Sequence, residues 1–269
     1  MYGRDAELDR LRSYLDDALA GHGRLVLVGG EAGIGKTTLL GALARDAVAR
    51  AVLVLSGGCY DLAPTPPYGP WLELLRSFTV SGSTSAGLSP GANGGERALP
   101  PGLAALADLD VAGVVAGQDT LFMDAGRAFA DWSARQPLLI LLEDLHWADE
   151  ASLSLLRFVT QRIRAPHALF VASYRDAELA RDAPLYRALP QLAREPRVER
   201  VALRPLAGAT VRRIVADRYG LAAAAEDALA GWLDRLAEGN PFFVAELLHT
   251  LEHEVILRRG DQGWELGDL

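Results

Sequence analysis

Eight residues between an apolar run and a helical pattern constrain this chain more than any others. Gly30-Glu31-Ala32-Gly33-Ile34-Gly35-Lys36-Thr37 matches G-x-x-x-x-G-K-[ST] without a gap. The glycines let backbone N–H groups turn inward and form an anion-binding nest. A helix that follows directly aims its N-terminal dipole and unpaired N–H groups at the same point. The context that the motif requires is present. Arg24 to Gly29 (RLVLVG) reads as a buried strand, and Thr37 to Arg50 reads as a helix. Ala51 to Ser56 reads as a second buried strand, closed by Gly57 and Gly58. This is β–loop–α–β, the unit that builds parallel sheets. A Gly-rich turn that merely happened to hold a lysine would not bring that context with it.

Composition sharpens the reading of Lys36. It is the only lysine in 269 residues, and every other basic side chain apart from histidine is Arg. The planar guanidinium cannot act as a compact point charge, so the one ammonium stands where ammonium chemistry matters. In this reading Lys36 reaches the β- and γ-phosphates of ATP or ADP, and the Thr37 hydroxyl coordinates Mg²⁺. The loop from Gly30 to Thr37, with Thr38 beside it, supplies the candidate nucleotide contacts.

A second element is needed to hold Mg²⁺ and orient water, namely an apolar strand that ends in acid. Leu138 to Leu142 followed by Glu143 and Asp144 supplies it. Mg²⁺ keeps several waters and substrate phosphates, so one acid near the metal suffices while the other polarises the attacking water. Adjacent strand side chains point opposite ways, which would divide these jobs between Glu143 and Asp144. A turn just past the strand would break that alternation. An ordinary acidic cap on a buried strand is the plainer alternative, and the glycine loop weighs against it.

The remaining pattern supports an α/β chain. Asp5 to Ala20 is an amphipathic helix with Leu8, Leu11, Leu15 and Leu19 on one face. Asp61 to Pro70 carries four prolines and reads as a loop, and Trp71 to Phe78 as a short helix. Ser81 to Gly102 is rich in Gly, Ser and Pro and reads as a flexible excursion. Helical patterns resume through Gln136. Ala151 to Ile163 is a helix, Ala168 to Ser173 a fourth strand, and Val198 to Leu203 a fifth. From Gly208 onward come three helical stretches, near Ala209–Tyr219, Ala223–Ala237 and Pro241–Glu254, and then a tail that resembles a hairpin turning at Gly260 to Gly263. The switch from alternating β and α to helices alone places a boundary near residue 205.

Bulk properties exclude some classes. A net charge of −8 argues against a broad nucleic-acid surface, which needs a surplus of Lys and Arg. Cys59 is the only cysteine, so no intrachain disulfide and no cysteine-based metal site can form, which suits a reducing cytoplasm. No apolar run approaches the ~20 residues needed to span a bilayer, and MYGRDAELDRL lacks the apolar stretch of a signal peptide.

At this point the chain resembles the STAND-class P-loop ATPases, in the AAA-type branch found in large ATP-binding LuxR-type transcriptional regulators. The resemblance is carried by Gly3-Arg4-Asp5-Ala6-Glu7-Leu8, GGEAGIGKTTLL, Tyr68-Gly69-Pro70-Trp71, LLEDLHWADEASL from Leu141, Ser173-Tyr174-Arg175 and Gly239-Asn240-Pro241. It implies an ASCE-type P-loop NTPase: a three-layer sandwich with a mostly parallel five-stranded sheet, followed by a small helical domain. A further strand would lie between the P-loop strand and the acidic strand. Residues 1–205 would bind nucleotide, 206–255 would form the helical lid, and 256–269 would begin a winged-helix region. The resemblance implies that Arg4 frames the adenine pocket and that Arg175 occupies the sensor position for the γ-phosphate. It also implies that Pro241, in Gly239-Asn240-Pro241, closes over the nucleotide. Such proteins rest with ADP and assemble when ATP replaces it, which makes nucleotide-dependent self-association the expected partnership. Direct nucleic-acid or membrane binding by this chain is not expected. The family often carries two aspartates at the strand end, whereas Glu143 takes the first place here.

Plainer readings stand beside these. Arg4 can be a surface charge on the first helix, Arg175 an exposed ion pair with Asp176, and Asn240 an N-cap with Pro241 in the first turn. His249-Thr250-Leu251-Glu252-His253 spells H-x-x-E-H, but a zinc site needs a third protein ligand, and solvated helix residues are the better reading. Tyr68, Trp71 and Trp147 suit core packing better than base stacking, and Cys59 suits a buried small residue. Three functions compete: a regulatory ATPase switch, a P-loop kinase for a small molecule, and a nucleotide-binding scaffold without turnover. A kinase wants an Arg-rich lid, and Arg97 is the only arginine between Ser81 and Gly102. The switch is favoured.

Overall fold

Five strands pair as one parallel sheet in the computed structural model of the chain, which describes residues 1–61, 67–79, 118–162, 167–260 and 263–269. The excursion expected from Ser81 to Gly102 lies outside the described residues, as do the two central residues of the expected tail turn. The described residues divide into two compact units: Leu8–Gly29 with Thr37–Ala202, and Met1–Glu7 with Gly30–Lys36 and Leu203–Leu269.

The larger unit holds the sheet. Its strands are β1 (Arg24–Gly29), β2 (Leu53–Gly58), β3 (Leu138–Glu143), β4 (Ala168–Tyr174) and β5 (Val198–Ala202), in the order β2-β3-β4-β1-β5. Every pairing is parallel, and β4 separates the strand before the glycine loop from the acidic strand. Helices α1 (Asp5–Leu19), α2 (Lys36–Ala49), α3 (Gly69–Thr79), α4 (Gln118–Arg135), α5 (Glu150–Arg162) and α6 (Pro184–Leu192) flank it. The result is a three-layer α/β sandwich of the P-loop NTPase type.

Both faces of the sheet are covered at β1, β3 and β4, which is why these strands read as near-continuous apolar runs. Leu138, Ile140 and Leu142 alternate to one face and join Leu25, Leu27 and Phe170 in a cluster with Trp71, Phe129, Leu155 and Leu185 from α3 to α6. Leu139, Leu141, Val26 and Val28 point the other way and are equally buried. Leu11 and Leu15 of α1, and Leu39 and Leu43 of α2, are fully buried outside the first cluster. Tyr68 and Trp71 pack in the core, with Trp71 Nε1 donating to Ser152 O at 3.1 Å. Cys59 is buried as well, and burial pushes its thiol pKa up.

One expectation needs correction. Gly57 and Gly58 do not close the second strand but form its end, opposite Leu142 and Glu143. A Cβ at Gly57 would lie 2.0 Å from Pro70 O, so glycine lets the backbone run directly under the start of α3.

The smaller unit contains α7 (Gly208–Tyr219), α8 (Ala223–Ala237) and α9 (Pro241–His253), followed by an antiparallel hairpin of β6 (Leu257–Gly260) and β7 (Gly263–Leu266). Val211, Val215, Leu229, Leu233, Val244 and Leu248 form its core. Helix α7 ends at Gly220, left-handed with φ 58°, whose N–H returns to Ala216 O.

Candidate nucleotide site

The structure gathers the candidate residues in two groups. In the smaller unit the glycine loop takes a conformation open mainly to glycine: Gly33 has φ 72° and Gly35 φ 100°. A Cβ added at Gly35 would meet nothing within 4 Å, so the loop borders open space there. Lys36 is buried and its Nζ donates to Gly30 O at 2.9 Å and Glu31 O at 2.8 Å. Glu31, Ala32 and Gly33 are exposed, while Ile34 is anchored inward with no exposed surface.

Arg4 is not the surface charge that a helix-start position suggests. It is 4% exposed, and Nη2 donates to Ile34 O at 2.9 Å while Nη1 lies 3.5 Å from Glu7 Oε1. Burial lowers its pKa, with Glu7 opposing. Asn240 caps α9 by accepting from Phe242 N–H at 3.1 Å, and Pro241 occupies the first turn, as the plainer reading has it. Asn240 also reaches back to the loop, donating from Nδ2 to Ala32 O at 2.9 Å.

In the larger unit Thr37 and Thr38 open α2 with exposed side chains. Thr37 Oγ1 donates to Glu143 Oε2 at 3.1 Å. Burial pushes the Glu143 carboxyl above the usual carboxylate range; the Thr37 hydrogen bond opposes this, while Asp144 and Glu73 add to it. Strand alternation does fail past Glu143: Asp144 is left-handed at φ 57°, ψ 44°, and leads into a 3₁₀ turn over Leu145–Trp147. Aspartate tolerates that conformation better than most residues. The Asp144 N–H donates to Ser173 Oγ at 3.1 Å, and its carboxylate lies 3.9 Å from Arg175 Nε and 3.9 Å from His146 Nδ1. Arg175 pairs with Glu178 at 2.7 Å rather than with Asp176, and its guanidinium lies 5.1 Å from the Trp147 ring centroid.

Glu73 and Ser173 were not singled out as site residues. Glu73 accepts from Gly58 N–H at 2.7 Å and from Tyr60 OH at 2.8 Å, beside Glu143. A carboxylate inside the otherwise apolar WLELL run was the available signal. Ser173 carries a hydroxyl near the end of a fully buried strand, and such a group needs a partner. The H-x-x-E-H residues form no zinc site. His249 and His253 are exposed, Glu252 is taken by Tyr219 and Arg218, and among the described residues no cluster of three His, Cys, Asp or Glu could hold a metal.

The groups present fit a nucleotide with Mg²⁺. Glycine-permitted loop geometry, an ammonium at its end, and a hydroxyl beside a carboxylate are the donors that phosphate and a hard cation need. Fold and loop together define a P-loop ATPase module. The chain belongs to the AAA ATPase domain family, which matches residues 1–172. Solved structures share the fold. The ORC1 protein of Aeropyrum pernix, solved in complex with DNA, is 18% identical with a TM-score of 0.54, over 94% of this chain and 61% of its own. A Signal Transduction ATPase with Numerous Domains (STAND) protein with a tetratricopeptide repeat sensor, from Pyrococcus horikoshii, is 16% identical with a TM-score of 0.50, over 90% of this chain and 28% of its own. Drosophila ORC bound to DNA is 12% identical with a TM-score of 0.54, over 95% of this chain and 57% of its own. This chain therefore spans about three fifths of the first and little more than a quarter of the second. No curated protein matches it.

Proposed function

We propose that this chain is the nucleotide switch of a larger STAND-class regulator, of the LuxR-type transcriptional kind, which holds ADP or ATP with Mg²⁺ and hydrolyses ATP slowly. The observation that carries the reading is the hydrogen bond from Thr37 Oγ1 to Glu143 Oε2, 3.1 Å long. It sets the hydroxyl that follows the phosphate loop against the acid that ends the buried strand, the pair of hard oxygens a magnesium ion takes.

Mg²⁺ held at this pair would neutralise charge on the nucleotide phosphates. The chain's own residues do the rest. Loop N–H groups and Lys36 bind phosphate; Thr37 and Glu143 hold the metal; Asp144 orients water. Asp144 suits that role because its backbone is fixed by Ser173 and its carboxylate stands next to Arg175. Arg175 in turn reports the γ-phosphate. The domain assignment proposed from sequence, nucleotide binding in 1–205 and a helical lid in 206–255, accompanies this reading, as does self-association in the ATP state.

Denaturing the purified protein and identifying the released nucleotide by chromatography tests the switch. Stoichiometric ADP is the expected result. Protein that carries no nucleotide and exchanges it freely would remove the ADP-holding switch and leave a freely turning-over enzyme.

A further inference from the structure

Five consecutive carbonyl groups of the glycine loop, from Gly30 to Ile34, each accept a hydrogen bond. Lys36 Nζ serves Gly30 O and Glu31 O. Asn240 Nδ2 serves Ala32 O at 2.9 Å, Phe242 N–H serves Gly33 O at 3.3 Å, and Arg4 Nη2 serves Ile34 O at 2.9 Å. In a trans peptide the C=O and the following N–H point opposite ways. The carbonyls held by Asn240 and Arg4 therefore turn the following N–H groups, those of Gly33 and Gly35, away from these two donors and leave them for an anion. The Ile34 N–H instead closes a turn onto Glu31 O at 3.4 Å.

Lys36 belongs to the motif, but the other three donors come from the chain start and from α9. Two of them are side chains, and both are more than nine-tenths buried. The approach is close: a Cβ at Gly33 would lie 2.6 Å from Phe242 Cβ and 2.9 Å from Asn240 Oδ1. We infer that Arg4 and Asn240 are positioning residues for phosphate binding, which hold the loop in its anion-accepting form through the Ile34 and Ala32 carbonyls rather than by touching the nucleotide. The inference rests on the nucleotide reading above and gives Arg4 a different role from framing adenine.

Inorganic tripolyphosphate separates the two roles, because it has phosphates and no base. Asn240→Ser keeps a neutral N-cap on α9 and loses the reach to Ala32 O. Arg4→Gln removes the charged fork, and Arg4→Lys restores a donor. Titrating the full chain calorimetrically, we expect Asn240→Ser and Arg4→Gln each to weaken tripolyphosphate and ATP by the same factor, about tenfold for one buried hydrogen bond. Arg4→Lys should recover part of the loss. A fall in ATP affinity with tripolyphosphate unchanged would overturn the inference and place these side chains at the base. Amide resonances of the nucleotide-free protein keep the two readings apart. Shifts at Ala32 to Gly35 in Asn240→Ser, with helix content unchanged, support the clamp; unmoved loop amides overturn it. A wild-type protein that binds neither ligand sinks the nucleotide reading, and the loop amides still decide the clamp.

Discussion

Glu143 carries the sharpest consequences at the scale of single residues. Its carboxyl titrates above the usual range because burial disfavours the charge. A folded-state pKa raised above the unfolded value contributes stability at low pH that is lost as pH rises through the folded pKa. At neutral pH Glu143 is therefore a cost to the nucleotide-free protein. Glu143→Gln should raise its melting temperature at pH 7 and flatten the change in stability across the acid range; a lower melting temperature at pH 7 would contradict the burial argument. The same substitution should remove the Mg²⁺-dependent part of ATP affinity, since it takes away the charged oxygen beside Thr37. Asp144→Asn should leave binding intact and lower turnover about 100-fold or more, as expected for a group that acts on the attacking water. Steady-state hydrolysis and nucleotide titration, done side by side, check the division of labour. Full turnover in Asp144→Asn would move the water role to Glu143.

Among the elements, strand β2 shows what patterning reveals and what it leaves hidden. Apolar runs marked β1 to β4, because a strand covered on both faces is apolar nearly throughout, whereas the edge strand β5 carries Glu199 and Arg200 and is mostly not buried; the glycine loop marked the start of α2. The end of β2 was hidden: Gly57 and Gly58 look like a stop, yet they extend the strand because α3 crosses it closely. Gly57→Ala should cost about 1–3 kcal/mol through overpacking against Pro70 O, measured as a lower denaturant midpoint. A neutral result would mean that α3 can give way. At the site, the loop and the acid pair were legible because each rests on adjacent residues. Arg4 on Ile34 O, Asn240 on Ala32 O and Glu73 near Glu143 were not, since such contacts join residues far apart in the chain, and no local pattern encodes them. Asn240-Pro241 could be read as a helix start, and its second hydrogen bond could not.

For the whole molecule, net charge and family membership bear on partners. The chain carries −8, and the likeness to DNA-bound ORC structures is a likeness of fold at 18% identity or less. We expect no salt-dependent association with duplex DNA at physiological ionic strength, read by fluorescence anisotropy; micromolar binding would point to a basic face that the overall charge conceals. No helix of the described residues is long and apolar enough to cross a membrane. The H-x-x-E-H helix gives a further check. Replacing both His249 and His253 by Ala should leave ATP hydrolysis unchanged, and a loss restored by added zinc would reverse the reading of those exposed side chains.

In the proposed function Lys36, the only lysine in the chain, holds the phosphates of a magnesium nucleotide. Titrating ATP with Mg²⁺ into the wild type and into Lys36→Ala tests it most directly. The wild type should bind saturably and the variant should lose about 100-fold or more, from a removed charge-assisted contact. Equal affinity in the two proteins would contradict it and remove the glycine loop as the nucleotide site.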